Sequence, residues 1–186
     1  QFGYRESVFK RALKNQYIIT DVTFALAKNP DLKTSYGAIQ QELDAKGIQN
    51  PSIHDISEAV IAIRQSKLPD PKIIGNAGSF FKNPVIDSSS FKVILANFPN
   101  VSHYVLNDNE VKLAAGWLIE NAGLKGYRQG TCGVHEKQAL VLVNYGGSKG
   151  QQILDLSTHI IQTIQAQFGV TLEREVNIIP THESIL

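Results

Sequence analysis

Among its 186 residues this sequence has one cysteine, one tryptophan and almost no net charge. The lone thiol, Cys132, closes no internal disulfide and builds no multi-cysteine metal site, which fits a reducing, cytoplasmic setting. Eighteen Lys+Arg against seventeen Asp+Glu leave +1 with no basic block, so the footprint of a general nucleic-acid binder is missing. No purely apolar run is longer than Ala139 to Val143, which is far short of the roughly 20 residues that a membrane-spanning helix needs. There is no internal repeat and no low-complexity segment. The opening Gln1-Phe2-Gly3-Tyr4 has neither an initiating methionine nor a charged-then-apolar signal, and reads as a chain that starts partway through something.

What is present suits a globular protein. Hydrophobic residues at 42% and charged residues at 19% allow a sizeable core, and the length is that of one domain, or one domain plus a piece of another. Asn15 to Leu26 predicts a strand, because Ile18, Val22, Phe24 and Leu26 share one side of a period-two pattern with Thr20 as its polar member. Tyr36 to Ala45 predicts a short helix stopped at Gly47. Ser52 and Asp55 resemble a capping box, opening a helix with Ile56, Val60 and Ile63 on one face and Pro69 beyond its end. The Ser66 to Pro71 stretch cannot continue a helix and marks a boundary.

Beyond it, helices are expected over Asp87 to Phe98, over Ala114 to Ala122 and over Gln151 to Phe168. The last carries Ile153, Leu156, Ile160, Ile164 and Phe168 on one face. Strands are expected over Val111 to Leu113, Leu140 to Val143 and Val170 to Ile179. Helices and short strands mix without a regular βαβ rhythm, so the class is α+β.

Chemistry is harder to place from composition. Gly75 to Pro84 holds two glycines and Ser79, but lacks the Walker spacing, the dinucleotide fingerprint and the hydrolase elbow; unaided, it reads as a tight turn before a strand. Ser79 is a candidate proton donor or an ordinary turn hydroxyl. Arg5 can pair bidentately with a carboxylate or lie solvated on the surface. Glu173 and Glu175 fall on one side of a strand with Arg174 on the other, which by default is a solvated edge. Lys67, Lys82 and Lys112 are well separated and by default solvated cations, although lysines near glycine-rich turns also serve phosphates. The five histidines show no metal spacing, His54 suits a helix start, and Cys132 with His135 lacks the third group of a thiol enzyme. Trp117 falls on an apolar helix face and is expected in the core.

Six segments in this order resemble the UDP-N-acetylenolpyruvoylglucosamine reductase family, in its form with the longer substrate domain. They are Gly3-Tyr4-Arg5-Glu6-Ser7-Val8-Phe9-Lys10, Lys67-Leu68-Pro69-Asp70-Pro71-Lys72, Gly75 to Pro84, Lys112 to Ile119, Gln138 to Asn144, and Phe168 to Val176. Gly-Asn-Ala-Gly-Ser-Phe-Phe-Lys-Asn-Pro followed by Lys-Leu-Ala-Ala-Gly-Trp-Leu-Ile is the most specific pair.

The resemblance implies a flavoenzyme of peptidoglycan precursor synthesis that passes hydride from NADPH through FAD to UDP-N-acetylglucosamine enolpyruvate, giving UDP-N-acetylmuramate. It implies that Ser79 is the proton donor, with Arg5 and Glu175 flanking the substrate carboxyl. By the same match Tyr36 and Lys67 contact the diphosphate, and Asn83, Tyr104, Lys112 and Gln138 line the nucleotide-sugar site. Arg174 stands where a proline is common in the family, a change expected to loosen the strand.

The family's flavin cradle precedes the Gly-Tyr-Arg segment. The resemblance therefore implies that residues 1–68 are a remnant of the FAD-binding domain, 69–169 the substrate domain and 170–186 a returning segment. The partner would be the missing N-terminal half, and the chain would be inactive alone. The alternative is a stand-alone nucleotide-sugar binding module without redox activity; a serine hydrolase on Ser79 lacks an identifiable base. The purified chain is expected to be colourless, and stoichiometric yellow flavin absorbance would contradict that expectation.

Overall fold

A computed structural model describes residues 2, 3, 5–35 and 37–179, which form two compact units, Gln1–Ile63 and Arg64–Leu186. The first opens with a small hairpin, β1 (Phe2–Gly3) against β2 (Glu6–Ser7), and holds α1 (Ile39–Ala45) and the start of α2 (Ile53–Lys67). Its core is small: Ile39 and Leu43 of α1 meet Ala59 of α2, with Ile48, Ile56, Val60 and Ile63 packed around them. The expected capping box opens α2. The Asp55 amide donates to Ser52 Oγ (3.3 Å), while the Ser52 hydroxyl (2.6 Å) and the Ser52 amide (2.7 Å) both donate to Asp55 Oδ2 and hold its carboxyl below its ordinary pKa.

Residues 15–26 are not a strand. They run as irregular backbone with Ile18, Val22, Phe24 and Leu26 all well exposed. Alternation gives a segment a face, but a strand exists only through a neighbour, and among the described residues nothing pairs with this one.

The second unit is α+β. Four antiparallel strands, β3 (Gly75–Ser79), β9 (Val141–Asn144), β8 (Cys132–Val134) and β7 (Arg128–Gln129), lie in that order, and β4 (Val85–Asp87), β6 (Glu110–Leu113) and β5 (His103–Val105) form a second sheet. With α3 (Ser88–Asn97), α4 (Ala115–Asn121) and α5 (Gly150–Phe168) they enclose one core. The face expected for the last helix is the observed one: Leu156, Ile160, Ile164 and Phe168 of α5 are buried, and Gly169 ends it in the left-handed conformation with φ 70°. Trp117 is half-buried, edge-on to Phe98 and Phe168 against the core. Asp87 caps α3 by accepting from the Ser90 amide (2.9 Å), and its hydrogen bonds to Ser89 and Ser90 push its pKa far down.

Two expectations in this unit are corrected. Gly75 to Ser79 is a bulged edge strand rather than only a turn before one. The Asn76 side chain accepts from the Gly78 amide (3.1 Å), Gly78 takes φ 71°, and the register against β9 shifts between Asn76 and Ser79. Val170 to Ile179 makes a single antiparallel bridge, Phe81 with Arg174, instead of a strand. The ladder stops because Phe80 spends its amide on the Leu140 carbonyl (2.8 Å), and Pro84, two residues past Lys82, has no amide to give.

The tightest approach is at Gly133 in β8, where a Cβ would stand 2.6 Å from the Tyr127 carbonyl oxygen. That oxygen and the Arg128 Cα, 3.3 Å away, are backbone and have little room to yield. Gly133→Ala is expected to cost about 1–3 kcal/mol in urea unfolding, and an unchanged midpoint would contradict the packing.

Candidate active site

Ser79 ends β3, exposed and paired with Val141. From there the chain runs through Phe80, Phe81, Lys82, Asn83 and Pro84 into β4, and the other candidates of this unit attach to that run. Phe80 is bonded on both sides: its amide donates to Leu140, and its carbonyl accepts from the Glu175 amide (2.8 Å). Glu175 therefore stands across from Phe80, about one strand spacing (~5 Å) from the backbone beside Ser79. Two residues on, the Lys82 amide donates to the Glu173 carbonyl (2.9 Å) and the Lys82 ammonium pairs with the Glu173 carboxylate.

Asn83 turns toward α4. Its Oδ1 accepts from the Ala115 amide (2.9 Å), one of the helix's otherwise unpartnered donors, so this side chain caps a helix 32 positions away. Gln138 reaches the same end of α4: a Cβ on Gly116 would lie 3.7 Å from its Oε1. Lys112 is the β6 residue opposite Val85 of β4 and Tyr104 of β5, and its ammonium sits 5.3 Å from the Tyr104 ring centroid, within cation–π range. Ser79, Asn83, Lys112, Tyr104, Gln138 and Glu175 are thus all fastened to residues 79–85 or one step removed.

The remaining candidates belong to other segments of the chain. Lys67 is the exposed last residue of α2, where a cation complements the helix C-terminus. A cleft of about 570 Å³ beside it, lined by Arg64, Gln65, Leu68, Pro69, Asp70 and Lys72 among others, contains none of the candidate residues. Arg5 lies in the first unit at the β1–β2 turn with φ 56°, its carbonyl accepting from the Lys10 ammonium (2.9 Å). Tyr36 lies outside the described residues.

Arg174 makes two side-chain bonds that a proline there could not make. Its Nε donates to Ser157 Oγ (2.8 Å) and its Nη2 to Thr158 Oγ1 (2.7 Å), pinning residue 174 to α5. Sequence reasoning took Lys82 for a solvated cation and missed its pair with Glu173. The partners are 91 positions apart and no local pattern links them. His135, buried between β8 and β9, is held below its ordinary pKa by burial and belongs to none of these contacts.

Residues 70–179, the stretch that carries this arrangement, match the family described as UDP-N-acetylenolpyruvoylglucosamine reductase, C-terminal domain. The chain belongs to this reductase family. It is 54% identical to the UDP-N-acetylenolpyruvoylglucosamine reductase of Flavobacterium johnsoniae over 96% of its own length and 53% of the relative's. The reductase of Chromobacterium violaceum is 51% identical over 94% of this chain and 51% of its own, and that of Amoebophilus asiaticus 50% identical over 96% and 52%. The chain thus spans about half the length of the curated reductases that it matches.

The cap by Asn83 gives a test of its own. Asn83→Ala leaves the part-buried Ala115 amide without its acceptor, and is expected to cost about 1–3 kcal/mol in urea unfolding. A cost near zero would release Asn83 from that structural duty.

Proposed function

We propose that this chain is the substrate-holding and proton-delivering part of an NADPH-dependent flavoenzyme that reduces UDP-N-acetylglucosamine enolpyruvate to UDP-N-acetylmuramate in peptidoglycan precursor synthesis. The main support is the gathering of Ser79, Asn83, Lys112, Gln138 and Glu175 along residues 79–85, in a chain about half identical to reductases so named.

The residues described do not fit a flavin cradle. Of the two glycine-rich stretches, Gly75–Ser79 pairs with β9 and spends the Gly78 amide on Asn76, and residues 146–150 spend the Gly146 and Ser148 amides on the Asn144 side chain. FAD and NADPH are therefore assigned to protein other than these residues. The flavin's chemistry is hydride delivery to the terminal vinyl carbon of the substrate.

What falls to this chain is the charge and the proton. An enolate-like charge spreads over the substrate's carboxylate and adjacent carbon, and donors aimed at it lower the barrier. The Ser79 hydroxyl, at an exposed strand end, gives its proton to that carbon and regains one from water. Glu175, partly buried and held beside Phe80, is assigned to the carboxylate end on residue match. Arg5 is assigned a cationic role toward the same carboxylate on residue match alone. Lys112 and Tyr104 offer the nucleotide-sugar a charge and an aromatic face, Asn83 and Gln138 offer amides, and Lys67 with Tyr36 take the diphosphate.

The test mixes the chain, with FAD and NADPH added, with the separately expressed part of the Flavobacterium johnsoniae reductase that it does not cover. Turnover is expected of the mixture and not of the chain alone. Ser79→Ala is expected to lower kcat about 10²- to 10⁴-fold, the range of a positioned general acid. Glu175→Gln is expected to lower it as well, and full turnover by either variant would overturn that residue's role.

A further inference from the structure

The segment that carries Glu175 follows α5 and has one bridge where a strand would have a ladder. Backbone pairing alone holds it at two bonds, Glu175 to Phe80 and Lys82 to Glu173. Side chains from both directions add to them. On one side the planar guanidinium of Arg174 bonds the hydroxyls of two consecutive α5 residues. Of these, Ser157 is fully buried and fixed in turn by donating to the Leu154 carbonyl (2.6 Å). With its proton committed to Leu154, the Ser157 oxygen is left to accept from Arg174.

On the other side stands Lys82. The Phe81–Arg174 bridge puts Lys82 directly opposite Glu173, and the two side chains meet in an ion pair with the lysine side chain only 18% exposed. Alternation along an extended segment then fixes the outcome: with Arg174 held toward α5, Glu173 and Glu175 turn to the opposite face. One residue is gripped on each face, and both grips are within two positions of Glu175.

We propose that Lys82 and Arg174 are positioning residues, a two-sided clamp that holds Glu175 beside the Ser79 strand end. The inference rests on the reading of Glu175 given above only for its effect on turnover; the clamp itself is a claim about this chain.

The experiment measures amide hydrogen exchange in the chain carrying Arg174→Gln or Lys82→Met, followed by turnover of the same variants in the reconstituted mixture. The Glu175 amide is expected to exchange about tenfold faster or more in each variant, while the Val134 and Val143 amides keep their protection. Unchanged protection at Glu175 overturns the clamp. So does equal loss at all three positions, which would mark a general destabilisation.

In turnover, kcat is expected to fall about tenfold or more with KM within about twofold, and Lys82→Arg to restore most of it. Unchanged kcat in both variants, where Glu175→Gln lowers it, overturns the positioning role. Full turnover by Glu175→Gln would instead remove the functional reading of Glu175, and the exchange measurement would still decide the clamp.

Discussion

Phe80 presents its amide to one neighbour and its carbonyl to another, and the second unit is arranged around that choice. The amide goes to Leu140, next to β9, and the carbonyl takes Glu175 from the segment after α5. Two regions 35 positions apart in sequence are thereby joined through one residue, with Ser79 immediately before it. The pattern continues for a few residues: Lys82 takes Glu173, Asn83 takes the first amide of α4, the Pro84 carbonyl accepts from Leu113, and Val85 pairs with Lys112. A stretch of seven residues, at most roughly 25 Å when extended, holds a share in most of the polar contacts among the candidate residues.

The apolar side of the same stretch anchors it. Phe80 and Phe81 are both buried in the main core and stack edge-on with centroids 5.4 Å apart. Burial of such a ring is worth about 1.5–3 kcal/mol, so the run is held from beneath while its polar groups face the neighbouring elements. Charge is handled locally. Glu173 is paired with Lys82 and Lys112 lies over Tyr104, which is how a chain with a net charge of +1 can still offer placed cations and carboxyls without a basic face.

Much of the helical structure was legible in the sequence because its signals are local. The Ser52–Asp55 box, the α5 stripe ending at Gly169 and the strand after Leu140 stand where pattern put them. The failures share a cause: they concern pairing. Residues 15–26 have strand periodicity and no neighbour. Val170 to Ile179 has a neighbour whose amides were already committed at Phe80 or missing at Pro84. Gly75–Ser79 carries turn chemistry and pairs all the same, since Gly78 absorbs the bulge. For the site, family likeness supplied the residues, but only the fold revealed that Asn83 caps α4, that Arg174 fastens its segment, and that Lys82 has a partner.

The central claim is that residues 79–85 are the spine of a nucleotide-sugar site. It is tested most directly by titrating UDP-N-acetylglucosamine into the isotopically labelled chain and mapping amide shift changes by NMR. The largest changes are expected at Ser79 to Val85, Tyr104, Lys112, Gln138 and Glu175. Changes confined to β7 and β8 or to the first unit, or none at millimolar ligand, would contradict it.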